Sequence, residues 1–137
     1  MKFYSKIRVR FSDIDAMGHV NNAIYFNYTE EARINYFKKV IGEHHDWRKF
    51  GVLLAHNEID YLLPVHLGDE LSCGIEIVKM GEKSIHCNFE FRVKGENESY
   101  KIVSKGKFTL VCFDNVKKQS APVPENWRQK FDAFEKP

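Results

Sequence analysis

One stretch constrains the whole chain. Ala23 to Ile41 runs nineteen residues without Pro or Gly, and no other segment of the 137 residues offers a second long helix. Tyr25, Tyr28, Ala32 and Tyr36 recur at spacings of three and four, with Phe37, Val40 and Ile41 extending the same face. That is the period of a helix with one buried side. Glu30 and Glu31 lie nearer its start and Lys38 and Lys39 near its end, which complements the helix dipole. Asn21 or Asn22 can cap the start, and Gly42 marks the stop.

The remainder reads as strands. In residues 3–11, Phe3, Ser5, Ile7, Val9 and Phe11 face one way and Tyr4, Lys6, Arg8 and Arg10 the other, so the alternation predicts a half-buried strand. Ile59, Tyr61 and Leu63 alternate ahead of Pro64. Leu71, Cys73 and Ile75 follow the turn His66-Leu67-Gly68-Asp69. Ile85, Cys87, Phe89, Phe91 and Val93 form the cleanest strand, between tips at 81–83 and 94–97. A last strand covers 100–113, with both faces apolar towards its end, and a short amphipathic piece from Glu125 to Phe134 follows Pro122 and Pro124. The expected class is α+β. One helix cannot cover both faces of a five-stranded antiparallel sheet, so it should sit in the concave face of a curled one. An edge strand must then find a partner or stay polar, and a dimer satisfies it.

Composition excludes several functions. Lys plus Arg exceed Asp plus Glu by only 21 to 19, a net charge of +2, which gives no nucleic-acid footprint. No apolar run of about 18 residues exists, so no membrane span is expected. The first ten residues lack the apolar core of a secretory leader. Cys73, Cys87 and Cys112 are far apart and sit in alternating apolar segments. They read as small core residues rather than a disulfide framework or zinc ligands, and the cytoplasm is the expected compartment. The length, 137 residues, suits a single domain over 1–137.

The segment Asp13-x-Asp15-x-x-Gly18-His19-Val20-Asn21-Asn22-x-x-Tyr25 carries the most chemistry. A carboxylate sits in a loop leaving a strand. A glycine allows close backbone approach. A helix N-terminus follows, with free N–H groups suited to an oxyanion. Together these supply a base or nucleophile beside an electrophile stabiliser. The plainer reading, a strand–turn–helix connection whose Asp and Asn residues only turn and cap, stays open on the residues alone.

Phe11 to Tyr25, read as Phe-Ser-Asp-Ile-Asp-Ala-Met-Gly-His-Val-Asn-Asn-Ala-Ile-Tyr, resembles the signature of the hotdog-fold acyl-CoA thioesterases, in particular the 4-hydroxybenzoyl-CoA thioesterase-like group. Glu31-Ala32-Arg33, Asp60-Tyr61-Leu62-Leu63-Pro64-Val65 and Gly68-Asp69-Glu70-Leu71 are similar to that family as well. The resemblance implies a hotdog fold, a five-stranded curved sheet wrapped around one long helix. It implies a catalytic carboxylate at Asp15 and a backbone N–H at Asn22 that polarises the thioester carbonyl. Gly18 would let the acyl group lie against the backbone, and His19, Val20, Asn21 and Tyr25 would line the pocket. The implied substrate is an acyl-CoA or acyl-carrier-protein thioester. The implied assembly is a homodimer, often paired into a tetramer, with the site at the subunit interface. No metal or cofactor is implied beyond the coenzyme A of the substrate.

The chemistry is self-consistent. The leaving group is a thiol of pKa about 8.5, so no strong general acid is needed. Asp15 either activates water or attacks the carbonyl itself; the sequence does not choose. Two other readings stay in view: a non-catalytic acyl-thioester binding module, and a hotdog hydratase or dehydratase using Glu30 or Glu31. Neither glutamate has a histidine near it in sequence. His44-His45-Asp46 reads as a surface loop.

Overall fold

The computed structural model describes all 137 residues. Five strands form one antiparallel sheet: β1 (Phe3–Ile7), β2 (Phe50–Tyr61), β3 (Leu71–Met80), β4 (Ser84–Lys94) and β5 (Tyr100–Asp114), in the spatial order β1-β3-β4-β5-β2. A two-residue β6 (Gln119–Ser120) folds back on β5. The long helix α1 (Ile24–Val40) lies in the concave face, and a second helix α2 (Glu125–Glu135) closes the end.

Three bulges curl the sheet. Ala55 in β2, Val78 in β3 and Val103 in β5 are each extra against their partner strands, and a bulge bends and twists its strand. The concave face carries Cys73, Ile75, Cys87, Phe89, Phe91, Phe108 and Leu110, all buried against the helix face Tyr25, Tyr28, Ala32, Tyr36 and Phe37. All three cysteines are free and buried, as their alternation predicts.

Two expectations are corrected. The first strand stops at Ile7; residues 11–13 form a 3₁₀ turn, and Phe11 is 82% exposed instead of facing the core. β1 pairs with β3 only over residues 3–7, so alternation beyond Ile7 has no ladder to join. The helix start also differs. Ala23 precedes α1, and no side chain caps the helix proper; instead the Asn21 Oδ1 accepts the Ala23 N–H at 2.9 Å, just ahead of the first turn.

Residues 50–58, which show no clean alternation, complete a twelve-residue β2. The tail builds a second core layer. Trp127, 2% exposed, packs its ring against Phe37, Trp47, Phe50 and Phe131. Trp127→Ala is expected to cost about 3–5 kcal/mol through lost burial and the cavity left behind. Urea unfolding monitored by far-UV circular dichroism measures it.

Candidate active site

The segment between β1 and α1 forms a small hairpin. Ile14 and Val20 pair as a bridge, the Asp15 N–H donates to the His19 carbonyl at 3.0 Å, and the Asn21 N–H donates to the Asp13 carbonyl at 3.0 Å. Its tip is a turn from Asp15 to Gly18, closed by the Gly18 N–H on the Asp15 carbonyl at 3.0 Å. Gly18 has φ +88, a value that L side chains rarely adopt. The hairpin is tied to the sheet connection by Val20, whose N–H reaches the Val65 carbonyl at 2.8 Å.

The two aspartates have different environments. Asp13 is turned inward, its side chain 1% exposed, and accepts from the Tyr28 hydroxyl at 2.5 Å, the Arg10 N–H at 3.0 Å and the Arg10 guanidinium at 3.2 Å. Burial pushes its carboxyl up, but these three donors together outweigh burial and hold it below the usual carboxylate range. Burial and the Asp13 carboxylate push the Tyr28 hydroxyl up. Asp13 is therefore a structural strut between the loop and α1. Asp15 is only half-buried. Its Oδ1 accepts the Met17 N–H at 2.9 Å, and its Oδ2 has no partner within the chain.

The sign of the Asp13 contribution follows from its lowered value. A carboxyl held lower in the fold than in the unfolded chain stabilises above its unfolded pKa of about 3.9, and that stability is lost as pH falls through the folded value. Tyr28→Phe removes one donor and should cost about 1–3 kcal/mol at pH 7. The deficit should narrow as pH falls through the folded value, where Asp13 protonates in both variants. Urea midpoints at neutral and acid pH measure it.

Main-chain donors at the helix start are unevenly used. The N–H groups of Asn21, Ala23 and Ile24 are all taken within the chain, but that of Asn22 makes no hydrogen bond. The Asn22 carbonyl is held by the Tyr61 hydroxyl at 2.7 Å, which fastens the end of β2 to the start of the helix. A cavity of about 210 Å³ opens here, lined by His19, Val20, Asn22, Tyr25 and Tyr61 to Pro64. The buried Tyr25 ring meets Tyr61 and Phe91 edge-on at 5.1 and 5.3 Å, and burial pushes its hydroxyl up to about 12. His19 lies edge-on to His66, ring centroids 6.0 Å apart.

Of the residues singled out in the sequence, His19, Val20, Asn22 and Tyr25 share this cavity. Asp15, Gly18 and Asn21 do not line it; they build the hairpin beside it. Tyr61, Leu62 and Leu63 are the wall that residue-by-residue reasoning did not assign, although the motif containing them was visible. No group of three or more His, Cys, Asp or Glu residues stands close enough to hold a metal ion.

A curled antiparallel sheet around a central helix is the hotdog architecture of thioesterases. Residues 9–131 match the Thioesterase-like superfamily, and the chain belongs to it. A thioesterase from Thermus thermophilus, crystallised with coenzyme A and zinc, is 34% identical with a TM-score of 0.83, over 99% of this chain and 96% of that one. The long-chain acyl-CoA thioesterase FadM of Escherichia coli is 24% identical over 135 residues, 96% of this chain and 98% of FadM. The uncharacterized protein YsmA of Bacillus subtilis is 34% identical over 87 residues; that match spans 64% of this chain and 58% of YsmA.

Proposed function

We propose that this chain hydrolyses an acyl-CoA or acyl-carrier-protein thioester to the free acid and thiol. The observation that carries the reading is the unused Asn22 N–H at the mouth of a cavity whose neighbouring hairpin holds a carboxylate with a free oxygen. In this reading the carbonyl oxygen accepts the Asn22 N–H, which favours the oxyanion by about 10²–10³ in rate. Asp15 takes a proton from water as it attacks, or adds to the carbonyl carbon to form, once the thiolate leaves, a mixed anhydride that water opens to the acid and the free carboxylate. The thiolate then leaves without a dedicated acid. Gly18 keeps the turn beside Asp15 free of a side chain, His19, Val20 and Tyr25 shape the acyl pocket, and Asn21 holds the hairpin beside it. The reaction as proposed draws on no metal or cofactor beyond the coenzyme A of the substrate.

The working unit in this proposal is a dimer. β2 is an edge strand of twelve residues, and Leu53 and Leu54 on it are 52% and 47% exposed. An unpaired apolar edge of this length is a template for a second strand, and antiparallel pairing of two β2 edges covers it. All three cysteines are free, which suits a reducing cytoplasm, and burial raises their thiols. No helix is long and apolar enough to cross a membrane.

Thiol release from a panel of acyl-CoAs and acyl-carrier proteins, run on wild type and Asp15→Asn, tests the function. Asp15-dependent release is the expected result. Tight binding without release would instead make the chain an acyl-thioester binding module.

A further inference from the structure

One buried hydroxyl on α1 has no use in the fold. The Tyr4, Tyr28 and Tyr61 hydroxyls donate to the Glu90 carboxylate, the Asp13 carboxylate and the Asn22 carbonyl. Tyr25 differs from these. Its side chain is buried, 2% exposed, and its ring packs edge-on to Tyr61 and Phe91, yet its hydroxyl has no partner within the chain. The unpartnered polar atoms that are sealed from solvent are the Tyr36 hydroxyl and the Asn57 Oδ1. The Tyr25 hydroxyl is not sealed, so it opens onto the cavity that Tyr25 lines. Phenylalanine would give the same ring packing without the cost of an unpaired buried hydroxyl.

The same cavity holds the unused Asn22 N–H. Ala23 has helical φ −67 and ψ −26, so Asn22 and Tyr25 stand three residues apart on a helical turn and share one face. Helical side chains lean towards the N-terminus, which lays the Tyr25 ring back over the turn that begins at Asn22. Tyr61 fixes both from the other side. Its ring meets the Tyr25 ring at 5.1 Å, and its hydroxyl holds the Asn22 carbonyl at 2.7 Å. Burial first, then the Tyr61 hydroxyl and the Asp69 carboxylate, push the Tyr25 hydroxyl up to about 12. It therefore keeps its proton and offers an O–H. Two donors face one cavity, and the chain supplies neither with an acceptor.

We propose that the Tyr25 hydroxyl is a second donor to the thioester carbonyl oxygen, completing with the Asn22 N–H a two-donor oxyanion site. This rests on the thioesterase reading above. As water or Asp15 adds to the carbonyl carbon, the C=O π pair moves onto oxygen, where both donors bind it. The pair returns to the C–O bond as the C–S bond breaks and the thiolate departs. Tyr25 keeps its proton throughout, so no base has to restore it. Its hydrogen bond strengthens as charge grows on the oxygen, so the gain falls on the transition state rather than on the bound substrate.

Tyr25→Phe keeps the ring and removes only the O–H. Its kcat on the best acyl-CoA of the panel is expected to fall by about 10²-fold, with KM changed by less than about threefold. Its thermal midpoint is expected to match wild type, because the hydroxyl supports nothing in the fold. Calorimetry with two inert analogues reads the contact without turnover. One is hexanoyl-dethia-CoA, a ketone with a methylene in place of sulfur; the other is S-hexyl-CoA, a thioether with a methylene in place of the carbonyl. Wild type is expected to bind the ketone about 5–50-fold more tightly, and Tyr25→Phe to cut that preference by at least about threefold. Undiminished kcat in a folded Tyr25→Phe protein would overturn the proposal. So would an equal ketone preference in the two proteins, or a fall in melting temperature large enough to account for the lost activity. No thiol release from any thioester, with the Tyr25-dependent ketone preference intact, would remove the hydrolase reading and leave the contact standing. Release that is indifferent to Tyr25→Phe would do the reverse.

Discussion

Replacing Asp15 by Asn is expected to lower kcat by about 10²–10⁴ and to leave the fold intact. The fold is spared because the Asp15 side chain is half-exposed and makes one local bond, to the Met17 N–H, which the Asn oxygen can still accept. Activity is lost because an amide neither takes a proton from water nor attacks a carbonyl. The neighbouring Asp13 provides the contrast. Asp13→Asn should cut stability, since a buried carboxylate with three donors becomes an amide facing one of them with its own N–H. Turnover on the best substrate, with thermal melts of both variants, separates the two roles. Undiminished turnover in Asp15→Asn, on a folded protein, would remove Asp15 from the mechanism.

The second large effect is expected at Gly106. This residue sits mid-sheet on β5, opposite Ile59 of β2 and Phe89 of β4. A Cβ there would run into the Glu58 carbonyl oxygen and the Phe89 ring. One obstacle is backbone of the strand that carries Tyr61 to the site, and the other is a fully buried core ring, so neither can give way cheaply. Gly106→Val should therefore cost at least about 3 kcal/mol, at the upper end of overpacking, and lower Tm by more than about 10 °C. Gly51→Ala is the control, because its Cβ meets the Trp47 ring at an ordinary 3.4 Å. A Gly106→Val protein as stable as that control would show that the sheet can relax there.

Much of the fold was legible because hydrophobic period is a local property. The face Tyr25, Tyr28, Ala32, Tyr36 repeats every three to four residues, and Ile85 to Val93 every two, whatever they later pack against. The proximity of the candidate residues was legible for a related reason: Asp15, Gly18 and Asn22 lie within eight residues of one another, so chain connectivity alone keeps them in one connection. Phe11 marks the limit of a local pattern. The alternation continues past Ile7, but a strand ends where its partner ends, and the register with β3 stops there.

The sequence by itself determined one central helix, a set of antiparallel strands and a short carboxylate-bearing connection, because each depends on spacing along the chain. Only the tertiary structure decided that Asp13 is a buried strut and Asp15 is not, and that Tyr61 fastens the helix start. Those facts join residues 15 to 39 positions apart, and side chains that distant meet only after sheet curvature and helix docking have fixed where each one points.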